Sequence, residues 1–403
     1  MRRSLPLLLA MVVVGLTACV SARAPAVPSP APSPTAKIFT PDPAMACGRK
    51  DSPAATPPPM TEEEGWRMAV AFNDGDPADV AATRDGQVWV VGGRQMDCHH
   101  TYPDSFSGAI WRYDGQAWGS VPGPACAVNL VRVLATREGA VWVLGEGRKS
   151  ECVARWNGTG WTEESRPKDV MAAVGTDGLW LRKGSGLVRW SDGSARRYEL
   201  GMTPQLVSVR GANEAWATGF RRSEDKEPDE YTAAENVPHF ARWDGRAWHP
   251  IPSPKLDLPQ DARRSWVDLT DQFAAGPDDV WAVGRVGSDI PAPDCTPVED
   301  DTCDTARLLI LHWDGAAWSQ RLGKPVERNI GDQMAPDGSG GFWLPESDGD
   351  MLTHLAQGRL APVHLPGDFA QLIAITAQPD STRTWLLGWA GENPPDWVLW
   401  STG

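Results

Sequence analysis

Apolar residues recur along most of the chain in short runs, each broken by Gly, Asp, Asn or Pro. Runs such as VWVVGG (88–93), VWVLGEG (141–147) and WAVGRV (281–286) are too short for helices. They are rich in β-branched and aromatic residues, which predicts strands. Asp114-Gly115, Asn157-Gly158, Asp244-Gly245 and Asp314-Gly315 separate such runs. An Asp-Gly or Asn-Gly pair between apolar runs is a hairpin signal, because these residues accept the φ > 0 geometry of primed turns.

The pattern repeats. VAATRDGQVWVVGG (80–93) with AIWRYDGQAWGSVP (109–122) is followed by VRVLATREGAVWVLGEG (131–147) with VARWNGTGWTEES (153–165). Third and fourth units are MAAVGTDGLWLRKGSGLVRWSDGSARRYEL (171–200) and VSVRGANEAWATGF (207–220) with HFARWDGRAWHPIP (239–252). The fifth pairs LTDQFAAGPDDVWAVGRV with LILHWDGAAWSQRL, the sixth is degenerate over 334–366, and the seventh ends in DWVLWSTG. Four short strands per unit at a period of roughly 40–50 residues indicate β-propeller blades. The expected fold is therefore all-β, a seven-bladed β-propeller over residues 61–403.

The seventh unit stops after its third strand, which would leave an open edge, a hazard that proteins avoid. EGWRMAVAF (64–72) has the character of a fourth strand and belongs to no unit of its own. It is expected to pair with 396–402 and close the ring as a 3+1 blade.

Composition sharpens this reading. The chain has 21 Trp against 4 Tyr and 8 Phe. Seven Trp hold the second-strand position: Trp89, Trp142, Trp180, Trp216, Trp281, Trp343 and Trp385. The third-strand position reads Tyr113, Trp156, Trp190, Trp243, Trp313, Leu355 and Trp400. Trp118, Trp161, Tyr198, Trp248 and Trp318 occupy the fourth, with Trp66 on the closing strand. Such Trp are expected to fill space between sheets. Trp111, Trp266, Trp389 and Trp397 fall outside the registers and are where a ligand-binding Trp would be sought.

Ahead of the repeat, Arg2 and Arg3 precede an apolar run from Leu5 to Leu16, the form of an export signal. The run is shorter than the ~20 residues that span a bilayer. Leu16-Thr17-Ala18-Cys19 resembles the lipobox of bacterial lipoproteins. That resemblance implies cleavage after residue 18 and lipid attachment at Cys19, making the membrane a partner. Residues 19–60, with Pro25 to Thr35 alternating Pro, Ala and Ser, read as a semi-rigid spacer. The expected address is the bacterial cell envelope, extracytoplasmic and lipid-anchored.

The net charge of −14 argues against nucleic acid as partner, because phosphate binding needs a basic surface. Six further Cys in an exported chain imply disulfides. Cys295 and Cys303 share a loop and are expected to pair, Cys126 precedes the first strand of the second blade and Cys152 begins its third, which would bring them together, and Cys47 with Cys98 remains. A metal or redox site is the competing use, but no C-x-x-C spacing occurs.

Three second-to-third-strand loops are long, at 94–108, 221–238 and 285–305. Rigid scaffolds carry function on such loops, so an envelope protein or small ligand is expected on that face. The acidic runs EDKEPDE (224–230) and Glu299-Asp300-Asp301 would suit a cationic partner, or serve as solvated surface. Neither has the alternating spacing of a calcium loop. His99 and His100 are conceivable metal ligands, although adjacent His side chains diverge. Arg112, Arg155, Arg189, Arg242, His312 and His354 share one third-strand register, either as a ring of cations or paired with acidic neighbours.

The unit Asp-Gly-x-x-Trp followed by Trp-Asp-Gly-x-x-Trp resembles the repeats of periplasmic two-component-sensor propellers, and more loosely the Asp-box of sialidases. RWDGRAW and HWDGAAW lack the Ser or Thr that the strict Asp-box places ahead of its Asp. The likeness therefore concerns the repeat and not sialidase chemistry.

No G-x-S-x-G, P-loop, H-E-x-x-H or C-x-x-C motif occurs, so no catalytic residue, metal or cofactor is assigned. The expected role is binding or scaffolding. The alternative is a hydrolase or lyase whose site is assembled from several blades at the mouth of the central channel.

Overall fold

Each second-strand Trp run becomes part of a four-stranded antiparallel sheet, and seven such sheets follow one another. The structure, a computed structural model, describes residues 37–39, 65–72, 75–95, 106–148, 151–164, 170–175, 178–191, 194–221, 237–258, 265–291, 304–327, 333–345, 351–364, 369–390 and 396–403. Among the described residues there is no helix.

Blade 1 runs from the inner strand Asp76–Ala82 through Val88–Gln95 and Phe106–Tyr113 to the outer strand Trp118–Pro122. Blades 2 to 6 repeat the order over 127–163, 170–199, 203–251, 265–327 and 335–364. Blade 7 joins Phe369–Ala377, Thr384–Ala390 and Asp396–Thr402 to Trp66–Phe72. The joint is antiparallel, with Trp66 opposite Thr402 and Phe72 opposite Trp397, the 3+1 closure expected from sequence. A short strand, Lys37–Phe39, adds in parallel to Trp66–Phe72, with Lys37 opposite Val70. It falls within the segment read as a spacer; the rest of 1–60, including Cys19 and Cys47, lies outside the described residues.

Seven apolar clusters hold the blades, one at each contact between neighbours. The seventh contact closes the ring: Val70, Phe72 and Trp385 of blade 7 pack with Val80, Val88 and Trp111 of blade 1. The Trp excess has a directional logic. The second-strand Trp of one blade meets the outer aromatics of the next, as with Trp89 on Trp156 and Trp161 at 5.2 and 5.8 Å. Trp180 meets Trp243 at 5.4 Å, and Trp343 meets Trp66 at 5.2 Å. Edge-to-face pairs of this kind add about 0.5–1.5 kcal/mol each beyond the area they bury.

The spacing Trp-x-x-Gly in the second strand has a cause of its own. In blades 1, 2, 4 and 5 the inner strand carries a β-bulge beside that Gly. A Cβ on Gly145 would stand 1.9 Å from the Asn129 carbonyl oxygen, and one on Gly92, Gly219 or Gly284 would stand 2.0–2.1 Å from its counterpart. Only glycine lets the bulged backbone approach.

Some local expectations change. In the four Asp-Gly or Asn-Gly turns only the Gly has φ > 0, at +92° to +102°. The preceding Asp or Asn keeps a negative φ and caps the turn: Asp114 Oδ1 accepts the Gln116 and Ala117 N–H groups at 2.9 and 2.8 Å. Tyr198 lies opposite Leu187, not opposite Trp190, where Ala195 stands. The Tyr198 ring still reaches Trp180 and Trp243, filling the space that Ala195 leaves. Trp400 lies opposite Leu386, two residues from the expected register, which Thr402 holds opposite Thr384 through a side-chain bond. The loops at 94–108 and 285–305 are shorter than expected, because Val88–Gln95, Asp279–Pro291 and Asp304–Trp313 extend the ladders into them.

Candidate functional site: the funnel at the turn face

The turns between inner and second strands gather at one end of the ring, opposite the long loops. They are built alike. Thr83 Oγ1 accepts the Gln87 N–H and Thr136 Oγ1 the Ala140 N–H, both at 3.1 Å, around Gly86 and Gly139 with positive φ. In blade 6 Asp337 Oδ1 takes the Ser339 and Gly341 N–H groups instead. The turn ends of blades 2, 4, 5, 6 and 7 line a funnel of about 890 Å³.

Met334 and Ile375 line it, and side chains of neighbouring blades are latched to their backbone N–H groups. Asp271 Oδ2 accepts the Met334 N–H at 2.9 Å, and Gln333 Oε1 accepts the Ile375 N–H at 3.1 Å. Asp79 makes the same bond to Val133 N–H between blades 1 and 2. Arg132 stands in the equivalent inner-strand position of blade 2 and acts electrostatically on both Asp79 and Asp271. Burial pushes both carboxyls up to about 6, against the pull of their N–H partners and Arg132.

The blade 5 wall is acidic. Asp278, Asp279 and Asp314 line it with His312. His312 Nε2 donates to Asp279 Oδ1 at 2.9 Å, its ring stacked on Trp281 with centroids 3.9 Å apart. Trp281 Nε1–H donates to the same oxygen at 2.8 Å. Backbone N–H groups of Ala317 and Ala316 hold the Asp314 carboxyl below the usual range, so it stays ionised. On another side Asp380, in the left-handed region at φ 59°, takes Arg137 at 2.6 Å and Arg84 at 2.8 Å. Arg210 lines the wall from blade 4 and pairs with Glu214 at 3.1 Å.

Several expected residues now have places. Cys126 and Cys152 are bonded, Cα to Cα 5.4 Å, tying the entry of blade 2 to its third strand. Cys19, Cys47, Cys98, Cys295, Cys303, His99, His100 and the acidic runs lie outside the described residues. Three Arg and both His of the third-strand register lie on the Trp directly across from them. Arg112 lies 4.8 Å over Trp89, Arg155 5.5 Å over Trp142 and Arg189 5.7 Å over Trp180. His354 stacks on Trp343 at 3.8 Å and donates to Asp337.

Of the Trp outside the registers, Trp111 is fully buried against Phe72, and Trp266 covers Gly287. Trp389 and Trp397 pair across strands at 5.3 Å. None of the four lines the funnel. Sequence reasoning placed binding on the loop face and missed the funnel. Its signal was faint: turn residues such as Arg137 and Asp380 stand 243 positions apart yet bond to each other.

No family model and no curated protein matches the chain. Among solved structures it is similar to a protein from Lactobacillus plantarum, at 12% identity over 76% of this chain and 89% of that one, TM-score 0.46. It is similar to YCF48 bound to D1 peptide, at 12% identity over 85% and 98% of the two chains, TM-score 0.45. A calcium-binding protein, regucalcin, from Agrobacterium tumefaciens is similar at 10% identity over 66% and 85%, TM-score 0.34.

Proposed function

We propose that this chain is a lipid-anchored, extracytoplasmic binding or scaffolding protein of the bacterial cell envelope, with the funnel as its binding place. The observation that carries the binding role is the funnel. Its volume of about 890 Å³ falls within the roughly 300–1,000 Å³ of small-ligand sites. Its walls are capped turns on a ring of packed sheets, and they present both signs of charge. The anchor rests on the order of Arg2, Arg3, the apolar run and Leu16-Thr17-Ala18-Cys19.

Two measurements test this. Cys19→Ser is expected to move the protein from the membrane fraction to the soluble fraction; unchanged sedimentation overturns the anchor. Pull-down from solubilised membranes is expected to recover a partner or ligand that Asp278→Lys no longer retains. Equal recovery by the two proteins removes the funnel from the binding role.

A hydrolase or lyase is the second reading, and His312 with Asp279 on the funnel wall favours it. The same stacked His–Trp arrangement recurs as His354, Trp343 and Asp337, with His354 and Trp343 outside the funnel lining, which supports a structural use for both.

A further inference from the structure

We infer that the funnel takes a dipolar ligand, carrying one cationic and one anionic group, of which a short peptide with free termini is the simplest. This rests on the binding role proposed for the funnel and names the chemistry of its occupant.

The charges that face the cavity are unevenly satisfied. On blade 5, Asp278 is exposed and abuts the turn that follows Asp314, since a Cβ on Gly315 would lie 2.7 Å from the Asp278 Cβ. Asp278 and Asp314 thus line the same wall. The Asp314 carboxylate spends one oxygen on its own turn, and His312 is already engaged with Asp279. This wall keeps a negative surplus that a cationic group would neutralise.

The opposite balance holds at the far rim. Arg84 and Arg137 share the single carboxylate of Asp380, so this trio carries a net positive charge, and Arg137 and Asp380 line the funnel. Arg137 comes from blade 2, three blades from blade 5, the widest separation that a ring of seven allows. Arg210 and Glu214 form a neutral pair between them. Phe273, Phe342, Met334 and Ile375 supply apolar surface for the ligand's body. A ligand with charge at each end and an apolar middle satisfies all three surfaces together. One with a single charge leaves one wall unmatched.

The test uses the full chain in detergent and isothermal titration with trialanine bearing free termini. The same peptide is then titrated N-acetylated, C-amidated and doubly blocked. Free trialanine is expected to bind, and each single block to weaken it by about tenfold, the scale of one charge-assisted hydrogen bond. Asp278→Asn is expected to weaken free trialanine and to leave the acetylated peptide unchanged. Equal affinity for free and doubly blocked peptides overturns the inference. So does sensitivity to acetylation alone, which would mark a site for cations only, and so does the absence of heat from free trialanine. Failure here with a membrane partner still lost in Asp278→Lys would leave the binding role standing; loss of that discrimination as well would remove both.

Discussion

The Asp79 carboxylate accepts the backbone N–H of Val133 at 2.9 Å, joining inner strands that stand 54 residues apart in the chain. Asp271 and Met334 repeat the bond between blades 5 and 6, and Gln333 and Ile375 repeat it between blades 6 and 7. A neutral amide serves at one joint where carboxyls serve at two others. That contrast makes the latch testable by pH.

Asp79 and Asp271 are pushed up to about 6 by burial, from an ordinary 3.8. A carboxyl raised in the folded state contributes stability that is complete below its unfolded value and lost as pH rises through about 6. The loss is about 3 kcal/mol for each group. The pair Asp79→Asn with Asp271→Asn is expected to flatten the profile between pH 4.5 and 7.5 and to raise stability at the upper end by roughly 1–3 kcal/mol per site. Calorimetric melting of wild type and variant across that range checks it. His239 works in the opposite sense, since burial lowers it, so the variant difference is the quantity to read.

Gly145→Ala is expected to destabilise the fold by about 1–3 kcal/mol or more, because the new methyl would lie 1.9 Å from the Asn129 oxygen. Gly119→Ala, where nothing lies within 4 Å, is the control and should cost a few tenths of that. Urea unfolding of the two variants measures the difference.

Trp66→Ala is expected to cost about 3–5 kcal/mol, the range for removing a large buried aromatic. Its side chain is fully buried at the seam and meets Trp343 edge-on. Removing residues 1–72 should be more severe, exposing the ladder edge of Asp396–Thr402 and producing aggregates. Size-exclusion chromatography of both proteins distinguishes a weakened ring from an opened one.

Reduction of the Cys126–Cys152 bond, or Cys152→Ser, is expected to lower stability by about 2–4 kcal/mol, since it releases a loop of 26 residues in the unfolded chain. Thermal melts with and without reductant measure it. Mass spectrometry of a non-reduced digest would also assign Cys47, Cys98, Cys295 and Cys303.

The blade count, the Trp registers and the closing strand were legible in the sequence because each depends on local periodicity repeated along the chain. Trp66 stood out because it followed the pattern and lacked a unit. Tyr198 was misplaced because its ring fills the expected space from a different backbone position. The Trp-x-x-Gly spacing was visible, yet its cause was not, since the bulge that needs Gly145 lies on another strand. The funnel was hidden more deeply. Its walls combine turn and strand-end residues from five blades, and Arg137 has no local reason to be read with Asp380. Of the third-strand cations, His312 and His354 have the acidic partners that the register suggests, in Asp279 and Asp337, while Arg112, Arg155 and Arg189 lie on the aromatic face across the ladder.

The seam also has a mechanical consequence. Trp66 is the first residue of its strand and Thr402 the last of its own, and the two are paired. Tension applied at Gly65 and Gly403 would therefore pull at the same end of one antiparallel ladder. Such a ladder opens like a zip, rung by rung, and does not share the force among its rungs as a sheared joint would.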